Sequence, residues 1–225
     1  ALARQMAARG DDLVLLGRDL AELERSAADL RARAPAASVE VARCENENSD
    51  LDMVFFTNGG AEATENAVRM ARLHTGRFKV LNHYRSYHGA TNGAITLTGD
   101  PRRWSSEPGM PGVVKFWGPY PYRSAFHSTS EAEECGRALR HLEDVLMVEG
   151  AHTVAAIIIE TVVGTNGILV PPDGYLEGIR RLCDRHGIVM ICDEVMSGFG
   201  RCGEWFAFHK WNVEPDLVCF AKGVN

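Results

Sequence analysis

Three short runs, VAAIIIE (154–160), IVMICDE (188–194) and DLVCF (216–220), are apolar at almost every position. A strand with one wet face alternates apolar and polar side chains, whereas a strand apolar throughout must be covered on both faces. Coverage on both faces is the mark of a parallel sheet between two layers of helix, so these runs commit the chain to an α/β fold. The segments between them carry the helical period: residues 130–149 form a charged amphipathic helix, and a second follows the loop GTNGILVPPDG at about 175–186. Upstream, MVFF (53–56) is strand-like and runs through TNGG into a helix over about 61–74. FKVLNHY (78–84) adds a strand, and SYHGAT leads into a further helical stretch. Residues 101–123 are rich in Pro, Gly and aromatics and are expected to form a long ordered loop.

The first 45 residues have a pattern of their own. Residues 2–9 have helical character, DLVLLG (12–17) is a short apolar strand, residues 19–34 are helical with Asp19 as cap, and SVEVAR (38–43) alternates like a strand. This order is one βαβ unit with a leading helix. The polar, acidic stretch CENENSD (44–50) is the best candidate boundary, which divides the chain into 1–45, a junction at 46–50, and 51–225.

Bulk properties narrow the function. With 225 residues, 45% of them hydrophobic, the chain can bury a sizeable core. A net charge of -6 gives no reason to expect nucleic acid or an anionic membrane as partner. No apolar run reaches about 18 residues, so no transmembrane helix is expected. The six cysteines form no CxxC pair, and several sit in apolar runs where the thiol acts as a small hydrophobe. A reducing cytoplasm without disulfides or a zinc site fits that usage.

In open α/β sheets ligands bind beyond the carboxyl ends of the strands. Four features fall at such ends: the turn TNGGAE, Glu160, Asp193 and Lys222. The glycines of NGGA (58–61) open a helix whose free N–H groups suit a phosphate, although strand-Gly-Gly-helix is more often a plain tight turn. Asp193 and Glu194 admit several readings: a solvated strand end or a helix cap, a pair of metal-binding carboxylates, or a buried acid that needs a cationic partner such as a protonated ring nitrogen. Lys222 either snorkels at the sheet rim or, held dry near other cations, acts as a nucleophilic amine that forms Schiff bases with carbonyls. Tyr87 and His88 follow another strand, and an aromatic there can stack on a planar ring. A phosphate cradle, an acid for a pyridinium and an amine for an aldehyde together match the anchor points of pyridoxal 5'-phosphate (PLP).

The words FFTNGGAEATENAVRMAR, YRSYHGAT, IIIETVVGTNGILVPPDGYL, ICDEVMSGFGRCGEWFA and PDLVCFAKGVN resemble class III PLP-dependent aminotransferases, in that order and over about 175 residues. GMPGVVKFWGPYPYR looks closest to the branch that moves amino groups from ω-amino acids such as taurine or β-alanine to pyruvate. The resemblance implies the large domain of fold type I, preceded by a Rossmann-like βαβ fragment. It also implies a homodimer, and amine and keto acid substrates. By the same resemblance Lys222 holds the cofactor covalently and Asp193 pairs with its ring nitrogen. Val195 packs under the ring and Tyr87 stacks above it. Gly60 and Ala61 give N–H groups to the phosphate, Glu160 sits near the ring oxygen, and His88 and Gly89 shape the same wall. Two departures stand out: Glu160-Thr161 where the family usually writes Glu-Pro, and Gly59-Gly60-Ala61 where it often writes a serine first.

Family members are longer at both ends, and residues 1–45 resemble instead the second strand, helix and third strand of a short-chain dehydrogenase/reductase, with Arg18 and Asp19 near the ribose. The glycine-rich turn and the catalytic tyrosine and lysine of that family are missing from this stretch, so no nucleotide binding is expected of it. The expectation is a chimeric or truncated frame joined at CENENSD. Its alternative is a natural short protein; the alternatives to transamination are a catalytically inactive α/β fragment or chimera that acts at most as an interaction partner, and an NAD(P)-dependent reductase.

Overall fold

The computed structural model describes residues 13–17, 20–33, 39–43, 51 and 53–223. The expected helix over 2–9, the cap Asp19, the position of Arg18 and the junction CENENSD lie outside the described residues. The chain divides into two compact units, Ala1–Phe55 and Phe56–Asn225.

In the first unit, strand β1 (Leu13–Gly17) leads through helix α1 (Leu20–Arg33) to strand β2 (Val39–Arg43), and the two strands pair in parallel. This is a βαβ unit, because a parallel partner requires a crossover connection.

The second unit is built on five strands: β3 (Lys79–His83), β4 (Val113–Phe116), β5 (Val154–Glu160), β6 (Val189–Asp193) and β7 (Leu217–Cys219). They form one sheet in the order β4-β3-β5-β6-β7, and every pair is parallel. All residues of β5 and β6 are buried. Helices α2 (Gly60–Thr75) and α3 (Asn92–Leu97) cover one face. Ala67, Val68, Ala71 and Leu97 pack there on Val80, Ala156, Ile158, Val189, Ile191 and Cys219. The alternate strand residues, among them Leu81, Ile157, Ile159 and Met190, point the other way and are fully buried. Helices α4 (Glu131–Glu149) and α5 (Tyr175–His186) pack on each other and against β4 and β6.

Local chemistry sets the helix ends. Ser130 caps α4 by accepting the Glu133 N–H, and Glu133 reaches back to the Thr129 N–H at 2.7 Å, a reciprocal arrangement that satisfies donors on both sides of the cap. Gly76 and Gly187 close α2 and α5 in the left-handed region, where a side chain is strained.

Two expectations need correction. MVFF (53–56) is not a strand: its residues lie outside any ladder and are exposed, Met53 by 91%. An apolar run becomes a strand only by pairing with a neighbour, and these residues have none among the described ones. Residues 101–123 are not a loop throughout. They contain β4, which pairs with β3 along the sheet edge. An edge strand has one partner and tolerates a charge, so VVKF, with Lys115 donating to the Thr96 carbonyl at 2.8 Å, lacks the apolar signature of the central strands.

Candidate active site

The strand order changes direction between β3 and β5: from β3 the chain steps outward to β4, and every later strand is added on the opposite side. Such a switch point opens a crevice beyond the carboxyl ends of the strands. Three of those ends are flush. Glu160 is the register partner of Asp193, and Asp193 of Cys219, so both carboxylates project from neighbouring positions on the face covered by α2.

Glu160 is 5% exposed and bridges two loops: its Oε1 accepts the Tyr87 N–H at 2.8 Å and its Oε2 the Gly164 N–H at 2.9 Å. Burial holds its carboxyl above the ordinary range, and the charge of Asp193 adds to this against the pull of His88 and the two amides. Asp193 is 3% exposed. Its Oδ1 accepts the Val195 N–H at 3.0 Å, and the Nδ1–H of His88 donates to its Oδ2 at 2.7 Å. The backbone that carries the imidazole is held in turn, because the His88 N–H donates to Thr98 Oγ1 and its carbonyl accepts from Thr64 Oγ1. A carboxylate has about four lone-pair positions, so Asp193 keeps acceptor capacity beyond these two bonds. His88 Nε2 is buried and has no hydrogen-bond partner among the described residues.

The glycine turn faces the same place. Helix α2 starts at Gly60 with no side-chain cap, which leaves its first amides without intrahelical acceptors. A methyl group built on Gly60 would lie 3.0 Å from both γ carbons of Val195 and 3.5 Å from the Cβ of Ala221. The start of α2, the turn after β6 and the turn after β7 therefore meet at one glycine. Gly89, at φ +135°, approaches Ala61 so closely that a Cβ would sit 2.5 Å from the Ala61 Cβ. Gly60, Ala61, Gly89 and Val195 thus form one wall, while Tyr87 is hydrogen-bonded to Glu160 and His88 to Asp193, the two pairs being linked by the Tyr87–His88 peptide and by the strand register of Glu160 with Asp193.

Lys222 follows Ala221 in the β7 turn with φ 47°, and its side chain is exposed rather than held dry. Glu194 does not act as a pair with Asp193. It is fully buried and accepts from Ser197 Oγ at 2.6 Å and from the amides of Ala207 and Phe208 at 3.1 Å, which makes it a brace for the following loop. No cluster of His, Cys, Asp and Glu suited to a metal ion occurs among the described residues.

One residue at the site escaped the sequence. Arg102 lies over Tyr87, its guanidinium carbon 3.9 Å from the ring centroid. The available signal was Asp100-Pro101-Arg102, an acid that caps a turn and accepts the Arg102 N–H at 2.8 Å.

Comparison with known proteins bears on this geometry. The family model described as aminotransferase class-III matches residues 27–225, which begins inside the stretch 1–45 that resembles a reductase. An acetylornithine aminotransferase of Corynebacterium efficiens is 40% identical over 173 residues, covering 76% of this chain and 38% of that protein. A taurine–pyruvate aminotransferase of Bilophila wadsworthia is 36% identical over 181 residues, covering 77% and 39%. The solved structure of a taurine:2-oxoglutarate aminotransferase from Bifidobacterium kashiwanohense, in complex with PLP and glutamate, is 49% identical and superposes with a TM-score of 0.73. That match covers 75% of this chain and 39% of the other. The chain spans about two fifths of the length of the relatives it matches.

Proposed function

The chain belongs to the class III aminotransferase family, whose fold type I large domain its parallel sheet forms in part, and from that premise we propose that it is the cofactor-binding part of a PLP-dependent transaminase. The reaction is transfer of an amino group from an amine or ω-amino acid, of the taurine and β-alanine class, to a keto acid such as pyruvate. The meeting of three segments at Gly60 carries this reading, since it gathers a helix start, the Asp193 turn and the Lys222 turn around one point.

The residues present fit the cofactor. Uncapped amides at Gly60 and Ala61 suit its phosphate, and the hydrogen of Gly60 leaves room where a methyl would crowd Val195. Asp193 has acceptor capacity for a ring N–H, Tyr87 and Val195 offer flat and branched surfaces for the two faces of a ring, and Lys222 supplies an amine. When bound, PLP supplies an aldehyde carbon that takes up the amino group and a ring that stores an electron pair.

The chain does the rest. Lys222 Nζ would take the proton from the substrate carbon next to the reacting nitrogen and deliver it to the cofactor's aldehyde carbon. Asp193, fixed by His88 and the Val195 amide, would accept the ring N–H and so hold a proton there. A buried carboxylate does this strongly, because little water competes for the charge. Glu160 ties the Tyr87 loop to the end of β5, which keeps the aromatic wall in register with Asp193.

In this reading residues 51–225 hold every anchor, 46–50 form the junction and 1–45 contribute none. The working enzyme is a homodimer in the cytoplasm, where the free thiols of Cys135, Cys183, Cys192, Cys202 and Cys219 stay reduced. Titration of the purified chain with PLP tests the reading. A visible absorbance band that is absent in Lys222→Ala, with unchanged far-UV circular dichroism, supports it. A wild-type chain that shows no band and releases all cofactor on dialysis overturns it.

A further inference from the structure

Tyr87 sits in the loop after β3, half buried, and two contacts hold it. Its backbone N–H is tied to Glu160, and its ring is covered by the Arg102 guanidinium at 3.9 Å. The guanidinium is itself held along two edges. Arg102 Nε donates to Asp100 Oδ2 at 2.9 Å and Oδ1 at 3.1 Å, Nη2 also donates to Asp100 Oδ2, and Nη2 donates to Thr165 Oγ1 at 2.7 Å. Asp100 is 5% exposed and additionally accepts from Asn166 Nδ2 at 3.1 Å. The fork is therefore strung between the turn at 100–106 and the loop that begins just after Glu160. A planar fork bound to a carboxylate at one edge and a hydroxyl at another has little freedom to tilt.

We propose that Arg102 is the positioning residue for the Tyr87 ring, closing one face so that a flat cofactor stacks on the other. This rests on the PLP reading above. An aromatic ring has two faces, and a guanidinium in van der Waals contact with one leaves only the second for a ligand. Arg102 touches neither substrate nor cofactor in this arrangement; it acts through Tyr87. The strut also joins the β3 loop to the loop after β5, the two sides of the switch point, so the width of the crevice there depends on it.

The test uses Arg102→Leu, Arg102→Lys and Thr165→Val in the full chain, with two readouts. The first is nitration of Tyr87 by tetranitromethane in cofactor-free protein, measured by peptide mass spectrometry. Tyr122, 80% exposed, and the fully buried Tyr175 serve as internal references. The second is the dissociation constant for PLP from its absorbance. Arg102→Leu is expected to raise Tyr87 nitration severalfold relative to Tyr122 and to weaken PLP binding about fivefold. Arg102→Lys, which keeps the charge without the plane, recovers only part of either effect. Thr165→Val keeps the Asp100 pair and shifts both readouts in the same direction by less, which covers the case in which Arg102→Leu does not fold.

Unchanged nitration in Arg102→Leu and in Thr165→Val overturns the proposal. So does raised nitration with unchanged PLP affinity, and so does tighter binding, which would mean that the guanidinium occupies the ligand's own place. If the wild-type chain binds no PLP, the cofactor reading fails first, and nitration alone shows whether the strut exists.

Discussion

Replacing Gly60 by alanine separates the packing of the site from the stability of its helix. The new methyl meets both γ carbons of Val195 at 3.0 Å, tighter than nearly all real contacts of its kind, and the Ala221 Cβ at an ordinary 3.5 Å. Forcing a methyl into such a contact costs about 1–3 kcal/mol unless Val195 moves. Alanine returns about 0.5–1 kcal/mol of helix preference. The net loss is up to about 2 kcal/mol, a fall of roughly 4–8 °C in melting temperature for a chain of this size. The ligand suffers more: pushing aside one amide that donates to a phosphate removes about 1.5–3 kcal/mol, or about 10- to 150-fold in affinity. Gly59→Ala is the control. Its Cβ meets nothing within 4 Å, and its φ of 175° is extended backbone. It loses only the capping advantage of glycine, about 0.5–1 kcal/mol, and leaves PLP affinity unchanged. Thermal melts and absorbance titration of the two variants decide. Equal weakening of binding in both, or none in Gly60→Ala, refutes the claim that this glycine is where the three turns meet.

Two further outcomes follow from buried titratable groups. Burial, with the charge of His88, pushes His83 down to about 3, and its Nε2 is bonded to the Tyr175 hydroxyl at 2.8 Å. Its folded value lies below its ordinary 6.5, so its contribution to stability is present above that value and is lost as pH falls toward 3. Denaturant melts of the wild type therefore weaken over that window, and His83→Asn weakens less with acid. Glu134 is buried, which raises its carboxyl, but hydrogen bonds from Ser124, Ser128 and the Tyr120 N–H together outweigh this and hold it below the ordinary range. Its stabilisation is present above the ordinary 4.5 and lost as pH falls below it; Glu134→Ala at neutral pH costs about 2–3 kcal/mol by denaturant melt, since the Tyr120 amide and two hydroxyls lose their acceptor.

The central strands were legible because β5 and β6 are apolar at nearly every position, and that pattern has one structural cause. The strand ends were legible for the same reason: Glu160 and Asp193 interrupt apolar runs and so mark where burial meets the crevice. The edge strand β4 was hidden among prolines and glycines, because one neighbour and a lysine leave no periodic trace. MVFF misled because composition suggests a strand and only pairing makes one. The Asp100-Pro101-Arg102 turn left a local trace, but the stacking of Arg102 on Tyr87 across fifteen positions depends on how two loops are folded, and no local spacing reports that.

The aligned endings of β5, β6 and β7 govern how such a protein can change over evolution. Adding or deleting a single residue within β6 would rotate Asp193 to the opposite side of the sheet and remove it from Glu160 and His88 at one stroke. Length variation is therefore excluded from the strands and must accumulate in the connecting segments. The stretches after Glu160 and Asp193 can be lengthened or reshaped without moving the two acids, because the frame that carries them stays constant in length.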